Sequence, residues 1–216
     1  MNHKPKPSHV FLYKDFISKP EVRKRYWARN FAGWKLFSSA QPNNVHRFLA
    51  LWEQKGNISW LVTQNVDRLH HKAGSRNITE LHGTSYLVKC LGCSNQFSRN
   101  LFQITLRNLN SNFHVESTEI APDADVHLDP KLAESFNVPS CENCGGILKP
   151  DVVFFGENVQ KNKVFEIYKK VEESDAVLVL GSSLEVFSGY RFVLTASEQK
   201  KCIGIVNIGC KQFNTC

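Results

Sequence analysis

The feature that most constrains this chain is a pair of C-x-x-C motifs, Cys90/Cys93 and Cys141/Cys144. One such motif places two thiolates within reach of a single tetrahedral metal ion, and a second motif completes a set of four sulfur ligands. Four sulfur ligands leave no position for water, so we expect one structural Zn²⁺ and not a catalytic metal. Two unrelated redox dithiols are the alternative. Glycines beside both motifs suit tight turns and favour zinc.

The size and composition of the chain predict an ordinary globular domain. It has 216 residues, of which 42% are hydrophobic, enough for one domain with a small inserted module. The formal net charge is +7, but the basic residues are scattered, and we interpret the densest runs as solvated helix faces. We therefore expect no nucleic acid as a partner. No stretch approaches 18 consecutive apolar residues, so we expect no membrane span.

The number of cysteines and the composition of residues 1–7 bear on the cellular compartment of the protein. Seven cysteines are an odd number, which argues against a purely disulfide framework and suggests a reducing compartment. Residues 1–7 have neither the apolar core of a secretory signal nor the pattern of a transit peptide. Localisation cannot be read from these residues.

Hydrophobic periodicity predicts alternating strands and helices outside the cysteine motifs. Apolar residues at 45, 48, 49 and 52 mark one face of a helix over residues 45–55, which Asn43 or Asn44 caps and Gly56 ends. We expect further helices over 20–34, 67–74, 164–171 and 188–198. Buried strands are predicted over residues 58–62, 176–180 and 203–206, with a shorter one near 78–81. Strands buried on both faces and alternating with helices indicate a parallel sheet.

The segment that holds the cysteine motifs interrupts the predicted alternation of strands and helices, and the predicted domain organisation follows from this interruption. We expect an α/β fold with a Rossmann-like parallel sheet, incomplete at its N-terminus, and a small inserted four-cysteine zinc module. Residues 1–83 and 150–216 form the partial Rossmann-like domain, and residues 84–149 form the zinc module. The module includes a long polar loop that carries Asp123, Asp125 and Asp129.

Small polar residues follow each predicted buried strand. Ligands bind outside the carboxyl ends of strands in such sheets, so these residues should face one crevice. Asn65 and Asp67 suit ribose hydroxyls or a carboxamide, and backbone N–H groups of residues 181–183 can approach a phosphate closely. Asp67 and Ser182 could equally cap the helices that follow them. The crevice residues are Gln64, Asn65, Val66, Asp67, Gly181, Ser182, Ser183, Asn207, Ile208 and Gly209.

A histidine in the run Glu80-Leu81-His82-Gly83 is the candidate general base. The pKa of an imidazole lies near neutrality, and a neighbouring glycine lets the ring face a cleft. A hydrogen-bonded structural histidine is the alternative for His82, and the same alternative applies to His70 and His71.

Several motifs in one order resemble the sirtuin family. They run from Thr63-Gln64-Asn65-Val66-Asp67 and Glu80-Leu81-His82-Gly83 through both C-x-x-C pairs to residues 149–157, Gly181-Ser182-Ser183-Leu184 and Asn207-Ile208-Gly209. The similarity covers most of residues 15–209. The strings at residues 26–31 and 188–192 resemble the class II, mitochondrial sirtuin-four type.

This resemblance implies an NAD-dependent protein-lysine deacylase of deacetylase or lipoamidase type, with ADP-ribosyl transfer as a related activity. His82 would be the general base. Residues Gln64, Asn65, Val66 and Asp67 would hold the ribose and nicotinamide of NAD, and residues 181–183 and 207–209 the ADP portion. The resemblance implies acylated protein substrates, mitochondrial enzymes among them, a monomer, and the mitochondrial matrix. Substrate peptide would pair as a strand with Val153, Phe154, Phe155, Gly156 and Glu157.

Two departures from the family pattern lead to a further expectation. The glycine-rich turn that cradles the pyrophosphate in the family has no counterpart in this sequence, which also stops soon after Gly209. We therefore expect weak or absent NAD binding and an exposed apolar groove beside the parallel strands. The alternative function is that of a catalytically impaired sirtuin fragment that acts only as a zinc-containing protein-binding module.

Overall fold

The computed structural model describes residues 11–115, 126 and 128–208. Its helices are α1 (Tyr13–Ser18), α2 (Pro20–Ser39), α3 (Asn44–Gln54), α4 (Leu69–Ala73), α5 (Arg99–Leu109), α6 (Pro130–Glu134), α7 (Lys161–Glu173) and α8 (Phe187–Glu198). Its strands are β1 (Leu61–Thr63), β2 (Ile78–Glu80), β3 (Gly83–Cys90), β4 (Gln96–Ser98), β5 (Leu148–Val152), β6 (Ala176–Leu180) and β7 (Cys202–Val206).

The parallel strands form two separate pairs within the described residues. β1 pairs with β2, and β6 pairs with β7, each in parallel register. We call these four strands, together with α7 and α8, the parallel region. The predicted parallel strand arrangement is confirmed, but β1 begins at Leu61 and not at residue 58.

An apolar cleft of about 510 Å³ separates the two strand pairs. Leu61 and Val62 of β1 line it on one side, and all five residues of β6 line it on the other. Successive side chains of a strand point to opposite faces, so a strand that lines a cleft with every residue presents its edge to that cleft. This cleft agrees with the apolar groove expected from the sequence.

The prediction that the strand at 176–180 is fully buried was wrong. Leu178 is 49% exposed and Leu180 is 38% exposed, and Val206 of the neighbouring β7 is 62% exposed. The reason is that, in the part of the chain that the structure describes, β6 pairs with β7 alone, so its other edge and one face border the open cleft.

Helix α3 begins and ends one residue before the predicted range of 45–55, and most of its predicted apolar face is exposed. Asn43 caps it, since its side chain accepts from the N–H of His46 at 3.1 Å, and Gly56 follows in the left-handed conformation. Only Leu49 and Ala50 are buried, whereas the side chain of Phe48 is 51% exposed. Leu49 and Trp52 line the apolar cleft, whereas Val45 and Phe48 lie outside its lining and face solvent.

The four-cysteine part of the chain is built on an antiparallel sheet in the order β4-β3-β5. Helices α2, α5 and α6 pack on it, and we call this sheet with its helices the antiparallel region. Its core includes Trp27 of α2, Phe102 and Leu106 of α5, and Phe136, all of which are at most 1% exposed. Helix α2, which the sequence places in the Rossmann-like segment, therefore contributes to the core beside the cysteines.

A buried guanidinium joins α2 to α5 in the antiparallel region. Arg99 is fully buried, donates to the Oδ1 of Asn30 at 2.8 and 2.9 Å, and lies 4.6 Å from the ring centroid of Trp34. Burial lowers the pKa of Arg99 to about 9. The aromatic rings and the amide oxygen stabilise this charge where water cannot reach it.

Among the helices of the described residues, none has the length and apolar character that a membrane crossing requires.

Candidate active site and metal centre

Four cysteine sulfurs converge at the end of the antiparallel sheet, as the sequence predicts. All four Sγ atoms lie within 4.8 Å of one another. The Sγ of Cys90 is 3.4 Å from that of Cys144, and the Sγ of Cys93 is 3.8 Å from that of Cys141. A tetrahedral Zn²⁺ with Zn–S bonds of about 2.3 Å holds its sulfurs roughly 3.8 Å apart. The cluster therefore fits one zinc ion with four sulfur ligands.

Hydrogen-bond donors around the sulfurs favour thiolates over thiols. The backbone N–H of Gly92 donates to the Sγ of Cys90 at 3.2 Å, and the side-chain amides of Asn95 and Asn143 donate to other sulfurs. Desolvation raises the pKa of Cys141, but these amide and backbone donors outweigh it and lower that pKa to about 6. At Cys144 a backbone hydrogen bond is outweighed by contacts with the other three sulfurs, which raise the pKa to about 12. Zinc requires deprotonated cysteine, so this donor set suits the metal.

His82 lies where the ends of three elements meet. Its Nδ1 is 3.2 Å from the carbonyl oxygen of Gln64, which follows β1, and its Nε2 is 2.7 Å from the Oγ of Ser188 in the first turn of α8. Its own carbonyl accepts from the N–H of Val153 at 2.8 Å. The ring is thus held on both nitrogens and sits beside the segment after β5.

Gly83 makes this placement of His82 possible. Its φ is +80°, and a Cβ there would lie 1.9 Å from the carbonyl oxygen of Asp151. Only glycine allows the chain to pass so close to β5 immediately after His82. The glycine that the sequence motif places after the histidine therefore sets the position of the imidazole.

The environment of His82 favours its neutral form. Burial lowers the pKa of the imidazole, the hydrogen bond to the backbone of Gln64 opposes this, and the positive charge of Lys163 lowers the pKa further. A neutral imidazole, with one nitrogen unprotonated, is the form that accepts a proton. His82 can therefore act as a general base at neutral pH.

The residues predicted to bind the cofactor are partly brought together. The side-chain amide of Gln64 donates to the Oγ of Ser182 at 3.1 Å, which joins the turn after β1 to the turn after β6. The N–H of Gly181 donates to the carbonyl oxygen of Val206 at 2.9 Å, which places Asn207 and Ile208 beside this turn. Gly209 and the predicted loop residues Asp123 and Asp125 lie outside the described residues.

Three of these candidate residues make local contacts. Asp67 lies two residues before α4, in a turn in which its Oδ1 accepts from the N–H of Leu69 at 2.9 Å, and the N-cap residue of α4 is Arg68. Ser182 accepts from the N–H of Leu184 at 3.2 Å, in a turn that ends before α8 begins. Val66 packs beside Trp34 and Phe37 in an aromatic cluster.

The predicted substrate segment, residues 153–157, runs beside His82. Phe154 is buried and its ring centroid lies 5.1 Å from those of Phe16 and Tyr26, whereas Phe155 is 59% exposed. The carbonyl oxygen of Phe155 accepts from the N–H of Tyr13 at 2.9 Å. The N–H groups of Val153, Phe154 and Glu157 and the carbonyl of Phe154 are likewise bonded within the chain, so much of the backbone of this segment is already paired.

A buried ion pair braces the same segment. Lys149 is fully buried, and its Nζ lies 2.8 Å from the Oε2 of Glu157. That carboxylate also accepts from the N–H of Phe154 at 2.9 Å, and the ammonium contacts the carbonyl oxygen of Val152. Burial lowers the pKa of Lys149, whereas Glu157 opposes this effect. The pair closes the loop of residues 152–157 into one fixed shape.

Sequence reasoning did not single out two of the residues that shape the site. Ser188 contacts His82 from a position 106 residues away, and no local pattern signals such a contact. Lys149 belongs to the family string, but its burial depends on the pairing of β3 with β5. A lysine between Leu148 and Pro150 was the available signal.

Sequence comparisons place the chain among known proteins. The model of the Sir2 family matches residues 2–188. The NAD-dependent protein lipoamidase sirtuin-4, mitochondrial, of Homo sapiens is 54% identical over 195 residues, which are 90% of this chain and 62% of that protein. The NAD-dependent protein deacylase Sirt4 of Drosophila melanogaster is 50% identical over 208 residues, 96% of this chain and 65% of that protein. The chain thus spans about 62% of the length of its human relative.

Solved structures share the same architecture. A structure described as Sir2-p53 peptide-NAD+ superposes with a TM-score of 0.74 at 29% identity and covers 99% of this chain and 76% of the other. A structure of Sir2Tm bound to a propionylated peptide gives a TM-score of 0.73 at 30% identity, with coverage of 95% and 74%. The α/β fold with a Rossmann-like parallel sheet is confirmed by these similarities.

Proposed function

The chain belongs to the Sir2 family, and from this membership we propose that it serves NAD-dependent removal of acyl groups from protein lysines. The observation that carries the proposal is His82, a half-buried imidazole held between Gln64 and Ser188 beside residues 153–157. Relatives named as lipoamidase and deacylase support this reaction class. ADP-ribosyl transfer is the related activity that we propose with it.

The chemistry divides between NAD⁺ and the residues of this chain. Bound NAD⁺ supplies an ADP-ribosyl group that accepts the acyl group, with nicotinamide as the leaving group. His82 accepts a proton at Nε2 from a ribose hydroxyl, since Nδ1 is committed to the carbonyl of Gln64. The amide of Gln64 and the turn at residues 181–183 would hold ribose and phosphate, together with Asn65, Asp67 and residues 207–209.

The substrate side of the site is the segment at residues 153–157. We propose that an acyl-lysine peptide lies along it in extended form, so that the acyl group reaches His82. The exposed ring of Phe155 offers an apolar contact, and the Lys149–Glu157 pair keeps the segment rigid. Rigid positioning lowers the entropy cost of bringing the acyl group to the base.

The zinc ion has a structural role in this proposal. Cys90 ends β3, which begins at Gly83, the residue after His82, and pairs with β5 just before the substrate segment. The metal thereby braces the two chain segments that meet at the base, without touching substrate. Residues 84–149 remain our proposed boundaries for the zinc module.

Substrates and location follow the family. We propose acylated mitochondrial proteins as substrates, the matrix as the compartment, and a monomer as the working form. The human relative is named as mitochondrial, which supports the location.

Incubation of the zinc-loaded chain with NAD⁺ and acetyl- or lipoyl-lysine peptides tests the function. With NAD⁺ in large excess, because we expect it to bind weakly, O-acyl-ADP-ribose and nicotinamide should be detected by mass spectrometry, and neither product should form with the His82→Asn variant. Binding of the acyl peptide without either product would contradict the enzyme and favour the alternative of a protein-binding module.

A further inference from the structure

The hydroxyl of Ser188 is placed on the proton-accepting nitrogen of His82. The Nε2···Oγ distance is 2.7 Å, a short hydrogen bond. Ser188 lies in the first turn of α8, after a helix start at Val186 that has no side-chain cap. The hydroxyl of a serine at a helix start commonly accepts a hydrogen bond from a backbone N–H in the first turn of the same helix. Here the hydroxyl instead contacts an imidazole from a different part of the chain.

The hydrogen bonds of His82 determine which nitrogen carries the proton. Nδ1 faces the carbonyl oxygen of Gln64 at 3.2 Å, and a carbonyl oxygen can only accept. Nδ1 must therefore donate, and in the neutral ring Nε2 must then be without a proton. The hydroxyl of Ser188 consequently donates to the lone pair of Nε2.

The approach of α8 to the turn after β1 holds Ser188 in place. A Cβ on Gly189 would lie 3.0 Å from side-chain atoms of Gln64, so the first turn of α8 packs directly on that residue. Gln64 in turn donates to Ser182 at the end of β6. His82, Gln64 and Ser188 thus form one set of contacts in which α8 and β1 fix the two sides of the ring.

We propose that Ser188 is a positioning residue for His82: its hydroxyl donates to Nε2, which fixes the ring and the Nδ1–H tautomer, and it yields that lone pair when a ribose hydroxyl takes the same position. This inference rests on the proposed role of His82 as the base. Without the hydroxyl the ring keeps only its contact to Gln64 and can rotate away from the reacting position. Loss of one oriented hydrogen bond of this kind lowers kcat about five- to tenfold and leaves the KM for acyl peptide unchanged.

Nitrogen-15 NMR of the histidine-labelled chain tests the inference without any need for turnover. At a pH above 6.5, we expect the His82 signals to show a protonated Nδ1 and a hydrogen-bonded, unprotonated Nε2, with assignment by the His82→Asn variant. In Ser188→Ala the Nε2 signal should move to the position of a free lone pair, and Ser188→Thr should restore it. Ser197→Ala, at the other end of α8, is the matched control and should change nothing.

Two results would overturn the inference. One is a protonated Nε2 in the unaltered chain, and the other is a His82 spectrum that Ser188→Ala leaves unchanged. In a chain with measurable deacylation, Ser188→Ala should lower kcat and Ser188→Thr should recover it. Absent turnover in every variant contradicts the proposed function alone, because the NMR result stands independently of it.

Discussion

The antiparallel and parallel regions achieve stability in different ways. In the antiparallel region, one continuous core joins α2, α5 and the sheet, and the four cysteines clamp its end. In the parallel region, two smaller clusters, one around Ile167 and one around Val179, share Val177 and Ile203, and both border an open cleft. The candidate catalytic residue His82 lies at the junction, one residue before β3 begins.

This difference separates scaffold from reaction site. The clamped region gives His82 and the substrate segment fixed supports, because β3 and β5 lead directly to both. The open region provides the polar strand ends where a dinucleotide can approach. Rigid support on one side and accessible groups on the other are what a binding cleft requires.

Removal of a zinc ligand should give the largest effect. Cys141→Ser takes away one of four ligands, and a structural zinc contributes ~10–16 kcal/mol of apparent binding energy to folding. We expect loss of bound zinc, measured by elemental analysis, and rapid hydrogen exchange throughout β3 and β5 with less change in β6 and β7. Cys202→Ser is the control, because Cys202 lies in β7 outside the cluster. Equal loss of hydrogen-exchange protection in both regions would contradict the conclusion that the zinc site stabilises mainly the antiparallel region.

Disruption of the Lys149–Glu157 pair should come next. Glu157→Gln leaves a fully buried ammonium without its counter-charge, which costs about 3 kcal/mol in the free energy of unfolding. Lys149→Met should cost less, because the carboxylate of Glu157 keeps some solvent access. Urea unfolding of the two variants measures this order, and the reverse order would show that burial of Lys149 is not the dominant cost.

A matched pair of valine truncations measures the packing of the two regions directly. Val88→Ala creates a cavity in a fully buried part of the antiparallel core and should cost about 2 kcal/mol. Val179→Ala enlarges a cleft that is already open, so about 1 kcal/mol is expected. Thermal or urea unfolding gives both values. Equal costs would indicate that the cleft is as well packed as the antiparallel core.

Acid should weaken the parallel region slightly, and this is the smallest effect. Burial lowers the pKa values of His70 and His82 below their ordinary value of 6.5. The unfolded chain therefore takes up protons first as pH falls, and stability that is complete above pH 6.5 is lost between 6.5 and the lower folded pKa values.

Hydrogen exchange in β2 as a function of pH measures this loss. The pH dependence should be smaller in His82→Asn and unchanged in His114→Asn, since His114 lies at the exposed end of the antiparallel region. Burial raises the pKa of Glu80, so its titration changes stability with pH in the opposite direction. Glu80 is present in the unaltered chain and in both variants, so its effect cancels when their pH dependences are compared. An unchanged pH dependence in His82→Asn would contradict the prediction.

The sequence by itself determined the features that depend on a few neighbouring residues. The C-x-x-C spacing predicted the four-sulfur cluster, the cap at Asn43 predicted the start of α3, and the apolar run at 176–180 matched β6 to the residue. Each depends on local geometry, because a knuckle, a cap or a strand is specified within a short stretch of chain.

Only the tertiary structure decided what is buried and which distant groups meet. Leu178 is exposed because it borders an open cleft and Phe48 because its side of α3 faces solvent, and no residue near them in sequence reports whether a packing partner exists. The contact of His82 with Ser188 joins residues 106 positions apart through the packing of α8 on the strand ends. Side-chain periodicity specifies an apolar face, but long-range packing determines whether that face meets protein or water.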